Sequence, residues 1–69
     1  MQLSARNQSR GTVTKLVYGA VMAEVTIAIG DNQEIVAAIT KASAEQLNLR
    51  EGAEAIAVIK ATEVLVATP

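Results

Sequence analysis

Cysteine and histidine are both missing from this chain of 69 residues, as are tryptophan and phenylalanine. Without cysteine there is no disulfide, and without either residue there is no ordinary zinc site. The same gaps remove the common nucleophile–base pairs. No two carboxylates stand in a convincing acid–base arrangement, so an enzyme is not expected. Tyr18 is the only aromatic residue, which leaves no stacking platform for bases. Six Lys and Arg against seven Asp and Glu give a net charge of −1. The two signs are interspersed, so no basic stripe exists to neutralise nucleic-acid phosphates. No apolar run approaches the length of a membrane span. The beginning lacks the charged-then-apolar layout of a secretory signal, and a cytoplasmic location is expected.

What is present is apolar surface. Hydrophobic residues make up 51% of the chain. A single domain of this size buries only about 60% of its unfolded surface, so its core is marginal. Small domains are rescued by disulfides, a metal or oligomerisation. With the first two excluded, contacts between copies are expected, and the apolar surplus argues the same way.

The chain reads as short strands with one helix and no linker, repeat or low-complexity segment. Gly11 reads as a break before a strand over residues 12–18, which is rich in β-branched residues. Its alternation falters near Lys15-Leu16, the mark of a bulge. Alternation is then clean: Val21, Ala23, Val25, Ile27 and Ile29 share one face. Gly30-Asp31-Asn32 supplies turn chemistry, and a strand over residues 33–40 comes next, with Ile35, Ala37 and Ile39 inward. Ser43-Ala44-Glu45-Gln46 reads as a capping box. The short helix it opens brings Leu47 and Leu49 to plug a barrel end and stops before Gly52. Residues 53–60 form another strand, and residues 62–67 a last one. The expected fold is all-β with one short helix: a small five-stranded Greek-key barrel of the oligonucleotide/oligosaccharide-binding (OB) type.

One stretch stands apart. Ser4-Ala5-Arg6-Asn7-Gln8 lies where small domains usually fray, yet it is dense in hydrogen-bond donors and holds no carboxylate. Arg6 adds a charged fork suited to anions. The ordinary reading of such a segment is a solvated terminus. However, this pentad, followed by Gly11 and a late Val58-Ile59-Lys60 before Thr62, resembles the molbindins, the molybdate-binding Mop/TOBE-like domain family, over nearly the whole chain. The resemblance implies an OB-like barrel whose first strand crosses to a partner subunit. It implies a homohexamer built as a trimer of dimers, binding molybdate, with tungstate as a substitute. Molybdenum would be held only as its oxyanion, with no metal ligated by the protein. The family's anion-contacting segments fall here on Ser4, Ala5, Arg6 and Asn7, on Thr40 and Ser43, and on Lys60 and Ala61. Ala61 stands where the family often has a hydroxyl, so that donor is reduced to a backbone amide.

Each residue also has a plainer role. Arg6 and Lys60 could pair with surface glutamates for about 0–1 kcal/mol. Ser43 could be only a helix cap, and Thr40 an ordinary strand residue. Lys15 and Lys41 are expected to be solvated. The leading expectation is a cytoplasmic store or buffer for molybdate. Its site would lie between subunits, with Ser4 and Arg6 of one chain meeting Thr40, Ser43 and Lys60 of another. The rivals are a ligand-free oligomerisation module and an OB-type nucleic-acid binder.

Overall fold

The computed structural model describes residues 2–69. Four strands form one antiparallel sheet: β1 (Asn7–Tyr18), β2 (Met22–Gly30), β3 (Gln33–Thr40) and β4 (Glu54–Ile59). A helix, α1 (Lys41–Gln46), links β3 to β4, and a 3-10 turn (Ala61–Glu63) comes after β4. The strand order is β3-β2-β1-β4.

Strand β1 is shared. Its first half pairs with β4 from Asn7↔Ile59 to Thr12↔Glu54. Its second half pairs with β2 from Thr12↔Ala28 to Tyr18↔Ala23. The register slips between Val13 and Lys15, close to where the alternation falters, and Val13 exchanges backbone bonds with Gly52 and Ala53 at the mouth of β4. Gly11 does not break the strand. It lies inside β1 at the crossing, where a Cβ would meet the Ala28 carbonyl oxygen and Ile27 Cγ2. The position needs the missing side chain for space, not for backbone freedom.

The β2–β3 hairpin is as expected. Asp31 and Asn32 both take positive φ (50° and 59°) between Gly30 and Gln33, which are paired. Two such residues match the right-handed twist of the flanking strands. The inward face of β2 carries Ala23, Val25 and Ile27, all buried. Val13 and Ala57 join Val25 and Ile27 in the core, and Leu16, Ile29, Ile35, Ile39, Leu49 and Ala55 pack around them.

The helix starts and stops elsewhere than the sequence suggests. Thr40 is its N-cap, its Oγ1 accepting from the Ser43 amide at 3.0 Å. Ser43 is the third helical residue. The helix ends at Leu47, and Asn48 takes the left-handed conformation (φ 54°), a role expected of Gly52. Gly52 (φ 90°) serves the next turn. Leu49 packs on the core, but Leu47 is 66% exposed and plugs nothing.

The barrel expectation is overturned. The sheet has four strands and stays open, with the outer edges of β3 and β4 unpaired. Residues 62–67 form no strand: the 3-10 turn redirects the chain, and Val64 to Ala67 meet no ladder. Nor is the first strand free to be exchanged, since β1 is paired along its length with β2 and β4 of its own chain.

Candidate functional site

The candidate donors fall into two groups. The first gathers at the beginning of β1. Asn7↔Ile59 is the outermost β1–β4 pair, so Arg6 and Lys60 are the next residues outward on adjacent strands. Ser4 sits at a bend just before them. Gln8 braces the bend, its Nε2 donating to the Ala5 carbonyl at 2.6 Å. That bond occupies an acceptor that would repel an oxyanion and leaves donors in the majority. Lys60 leads into the 3-10 turn with no side-chain cap bond. The turn's first amides, those of Ala61 and Thr62, have no partner within it. Thr62 adds an exposed hydroxyl one position beyond Ala61. The family resemblance points to the absent hydroxyl at 61, and only the turn puts Thr62 beside the same amides.

Among the described residues, Arg6 and Lys60 pair with no carboxylate. The salt bridge among them is Arg10–Glu54, at 3.2 Å, with both side chains 71% exposed. The plain explanation offered for Arg6 and Lys60 therefore applies to Arg10 instead.

The second group lies at the far end of β1. Tyr18↔Ala23 closes the β1–β2 ladder there, and Met22↔Thr40 closes the β2–β3 ladder beside it. Thr40 Oγ1 donates to Ser43 Oγ at 2.7 Å while accepting from the Ser43 amide. With its oxygen engaged as acceptor, the half-buried Ser43 hydroxyl has its own proton to give outward. The neighbouring amides contribute less than the sequence implies, because the Lys41 amide is spent on the Val21 carbonyl at 2.7 Å. Lys41 supplies the positive charge at this end. Its Nζ lies 5.8 Å from the centroid of the Tyr18 ring, within cation–π range. The sequence offers no sign of this pairing, because only strand register brings position 18 next to position 41.

No chain unites the two groups. β1 has 12 residues, a contour of about 36 Å at 3.3 Å per residue, and the groups sit at its opposite ends. Lys60 stands with the pentad of its own chain and not with Thr40 and Ser43. A trough of about 780 Å³ does open between β3 and β4, but its lining is largely apolar and Lys60 is the only candidate donor bordering it. It is not an oxyanion pocket.

Comparison with known proteins identifies the architecture. The family model of the TOBE domain matches residues 3–66. This chain belongs to the TOBE domain family. Molybdenum-pterin-binding protein 1 of Clostridium pasteurianum is 44% identical to it over 66 residues, covering 96% of this TOBE domain and 97% of the relative. The molybdate-binding protein of Sporomusa ovata superposes with a TM-score of 0.91 at 40% identity, over 99% of this chain and all of that one. The cytoplasmic molybdate-binding protein ModG, solved with molybdate bound, superposes with a TM-score of 0.94 at 46% identity, over all of this chain and 49% of that one. These relatives are described as binding proteins, not as enzymes.

Proposed function

We propose that this TOBE domain binds molybdate, with tungstate as a substitute, and acts as a cytoplasmic store or buffer for the anion. The observation that carries the reading is the likeness to ModG with molybdate bound, 46% identical with a TM-score of 0.94 over all of this chain and 49% of that one. The donor chemistry supports it. Molybdate is a tetrahedral dianion without a proton at neutral pH, so its host should offer donors only. Ser4, Ala5, Arg6, Asn7, Lys60 and Ala61 supply them at one end of β1; at the other the Ser43 hydroxyl does, with Thr40 holding it by the bond it donates to Ser43 Oγ.

The anion sits between copies of the chain in this reading, because neither group alone encloses a tetrahedron. Five or six charge-assisted bonds at about 1.5–3 kcal/mol each, reduced by dehydration of the dianion and lost freedom, are enough for micromolar binding. The assembly is a homo-oligomer, and the form we propose is a hexamer arranged as a trimer of dimers. Nucleic acid and membrane are not partners in this reading. The one aromatic ring, Tyr18, lies 5.8 Å from Lys41 Nζ with no second ring to extend a stacking platform, and among the described residues no helix is long and apolar enough to cross a membrane.

Selectivity supplies the test. Phosphate at neutral pH keeps a proton, and a donor-only cavity leaves it unpaired at a cost of about 1–3 kcal/mol. Sulfate is smaller and stretches its bonds in a rigid cavity. Calorimetry with the four anions should rank molybdate and tungstate together, above sulfate and phosphate. Phosphate binding as tightly as molybdate would end the donor-only account.

A further inference from the structure

The end of the molecule that carries Thr40 and Ser43 has few groups left with which to hold an anion. The Lys41 amide is spent on the Val21 carbonyl. Thr40 Oγ1 gives its proton to Ser43 Oγ, so the proton left to these two hydroxyls is that of Ser43. A dianion calls for charge as well as donors, and the cation beside the hydroxyl pair is Lys41, one residue from Thr40 and two from Ser43. Among the described residues Lys41 makes no salt bridge, although Glu45 stands four positions on, the spacing at which helix ion pairs form. Its Nζ lies instead 5.8 Å from the centroid of the Tyr18 ring. That is near the outer limit of cation–π attraction, and both residues are exposed, so water competes with the ring. Such a contact biases a long side chain toward one place. It is weaker than a charge-assisted hydrogen bond to an oxyanion.

We propose that Lys41 is a third cationic contact for the bound oxyanion, joining Arg6 and Lys60 of the other copy, and that Tyr18 is the rest from which it is drawn. On binding, Nζ leaves the ring and donates to an oxygen of the anion held at Ser43. Strand register makes this possible. Tyr18↔Ala23 and Met22↔Thr40 close neighbouring ladders at one end of the sheet, so ring, lysine and hydroxyl pair share that end. The reach is short, because Nζ rides on a flexible four-carbon stem whose Cα is 3.8 Å from that of Thr40. An ammonium also suits the task. Its three donors rotate to meet a single oxygen of a tetrahedron, with no demand for two acceptors in one plane.

The proposal rests on the anion-binding reading, and the experiment separates the two. Calorimetry with molybdate is run on the parent, Lys41→Gln, Lys41→Arg and Arg10→Ala. Lys41→Gln should weaken binding about tenfold, the scale of one hydrogen bond to a charged group. Lys41→Arg should recover most of the loss. Arg10→Ala, which removes a cation already paired with Glu54, should leave affinity alone. Nuclear Overhauser contacts supply a readout that a merely structural lysine would not move. Tyr18 is the only aromatic residue, so contacts between the Lys41 ε-methylene and aromatic protons report that ring. They should be present without molybdate and lost at saturation. A Lys41→Gln chain within about twofold of a parent that binds molybdate, the scale of a neutral surface change, would overturn the proposal and leave the anion-binding reading standing. So would Overhauser contacts that persist at saturation. A parent that binds no molybdate would end both.

Discussion

Gly11→Ala should be far more damaging than a methyl group in a strand ordinarily is. Glycine inside a strand is normally a weakness, and replacing it with alanine gains about 0.5–1 kcal/mol from reduced chain entropy. Here the added Cβ would press on the Ala28 carbonyl oxygen and come within 2.8 Å of Ile27 Cγ2. The first of these is backbone in the β2 ladder and cannot step aside as a flexible side chain would. Overpacking of this kind costs about 1–3 kcal/mol, and a backbone obstacle puts it at the upper end. The net expectation is a loss of about 2 kcal/mol. A 69-residue domain has about 3–10 kcal/mol to lose at the usual stability per residue, and the melting temperature should fall by roughly 8–16 °C. Thermal and guanidinium unfolding, both at one fixed protein concentration, measure it. A Gly11→Ala variant within 0.5 kcal/mol of the parent, on the scale of a neutral surface change, would refute the close crossing of β1 over β2. The consequence reaches the site, since Gly11 is where β1 passes from β2 to β4 and so brings Arg6 beside Lys60.

Arg6→Ala and Lys60→Ala should each weaken molybdate binding by about 10- to 150-fold, corresponding to a charged hydrogen bond of about 1.5–3 kcal/mol, with unfolding curves unmoved; calorimetry and denaturation on the same samples decide. Thr40→Ala should cost about 1 kcal/mol of stability through the lost cap, whereas Thr40→Ser should retain both stability and binding. Arg10→Ala and Glu54→Ala should change stability by less than about 1 kcal/mol and leave molybdate affinity alone, because their salt bridge is exposed.

Much of the fold was legible because local chemistry and tertiary context agreed. The alternation of β2, the turn at Asp31-Asn32 and the inward faces of β3 each arise from patterns that a half-buried sheet enforces. Where sequence and structure part, the cause is shared: the deciding partner is remote in the chain. Gly11 has the local character of a break, but it is required by β2 pressing on β1 from more than a dozen residues away. Residues 62–67 have strand composition, yet a strand exists only with a neighbour, and the 3-10 turn denies them one within the chain. The cap is Thr40 and not Ser43: the Lys41 amide is tied to the Val21 carbonyl in the turn before β2, and the Thr40 hydroxyl takes the Ser43 amide. The candidate site residues come from the family resemblance. Their division into two groups is not legible in the sequence, because it depends on which end of β1 each neighbouring strand reaches.

The central claim is that one oxyanion is held by the Arg6–Lys60 group of one copy and the Thr40–Ser43 group of another. Mixing variants tests it directly. An Arg6→Ala/Lys60→Ala chain and a Thr40→Val/Ser43→Ala chain should each bind molybdate poorly alone. After exchange of subunits, a mixed pair contains one doubly damaged site and one intact site, so tight binding should return at about one site in four under random mixing. Equilibrium dialysis of the mixture counts those sites. Recovery of that fraction is the predicted result; a mixture that binds no more molybdate than its two components would contradict the claim.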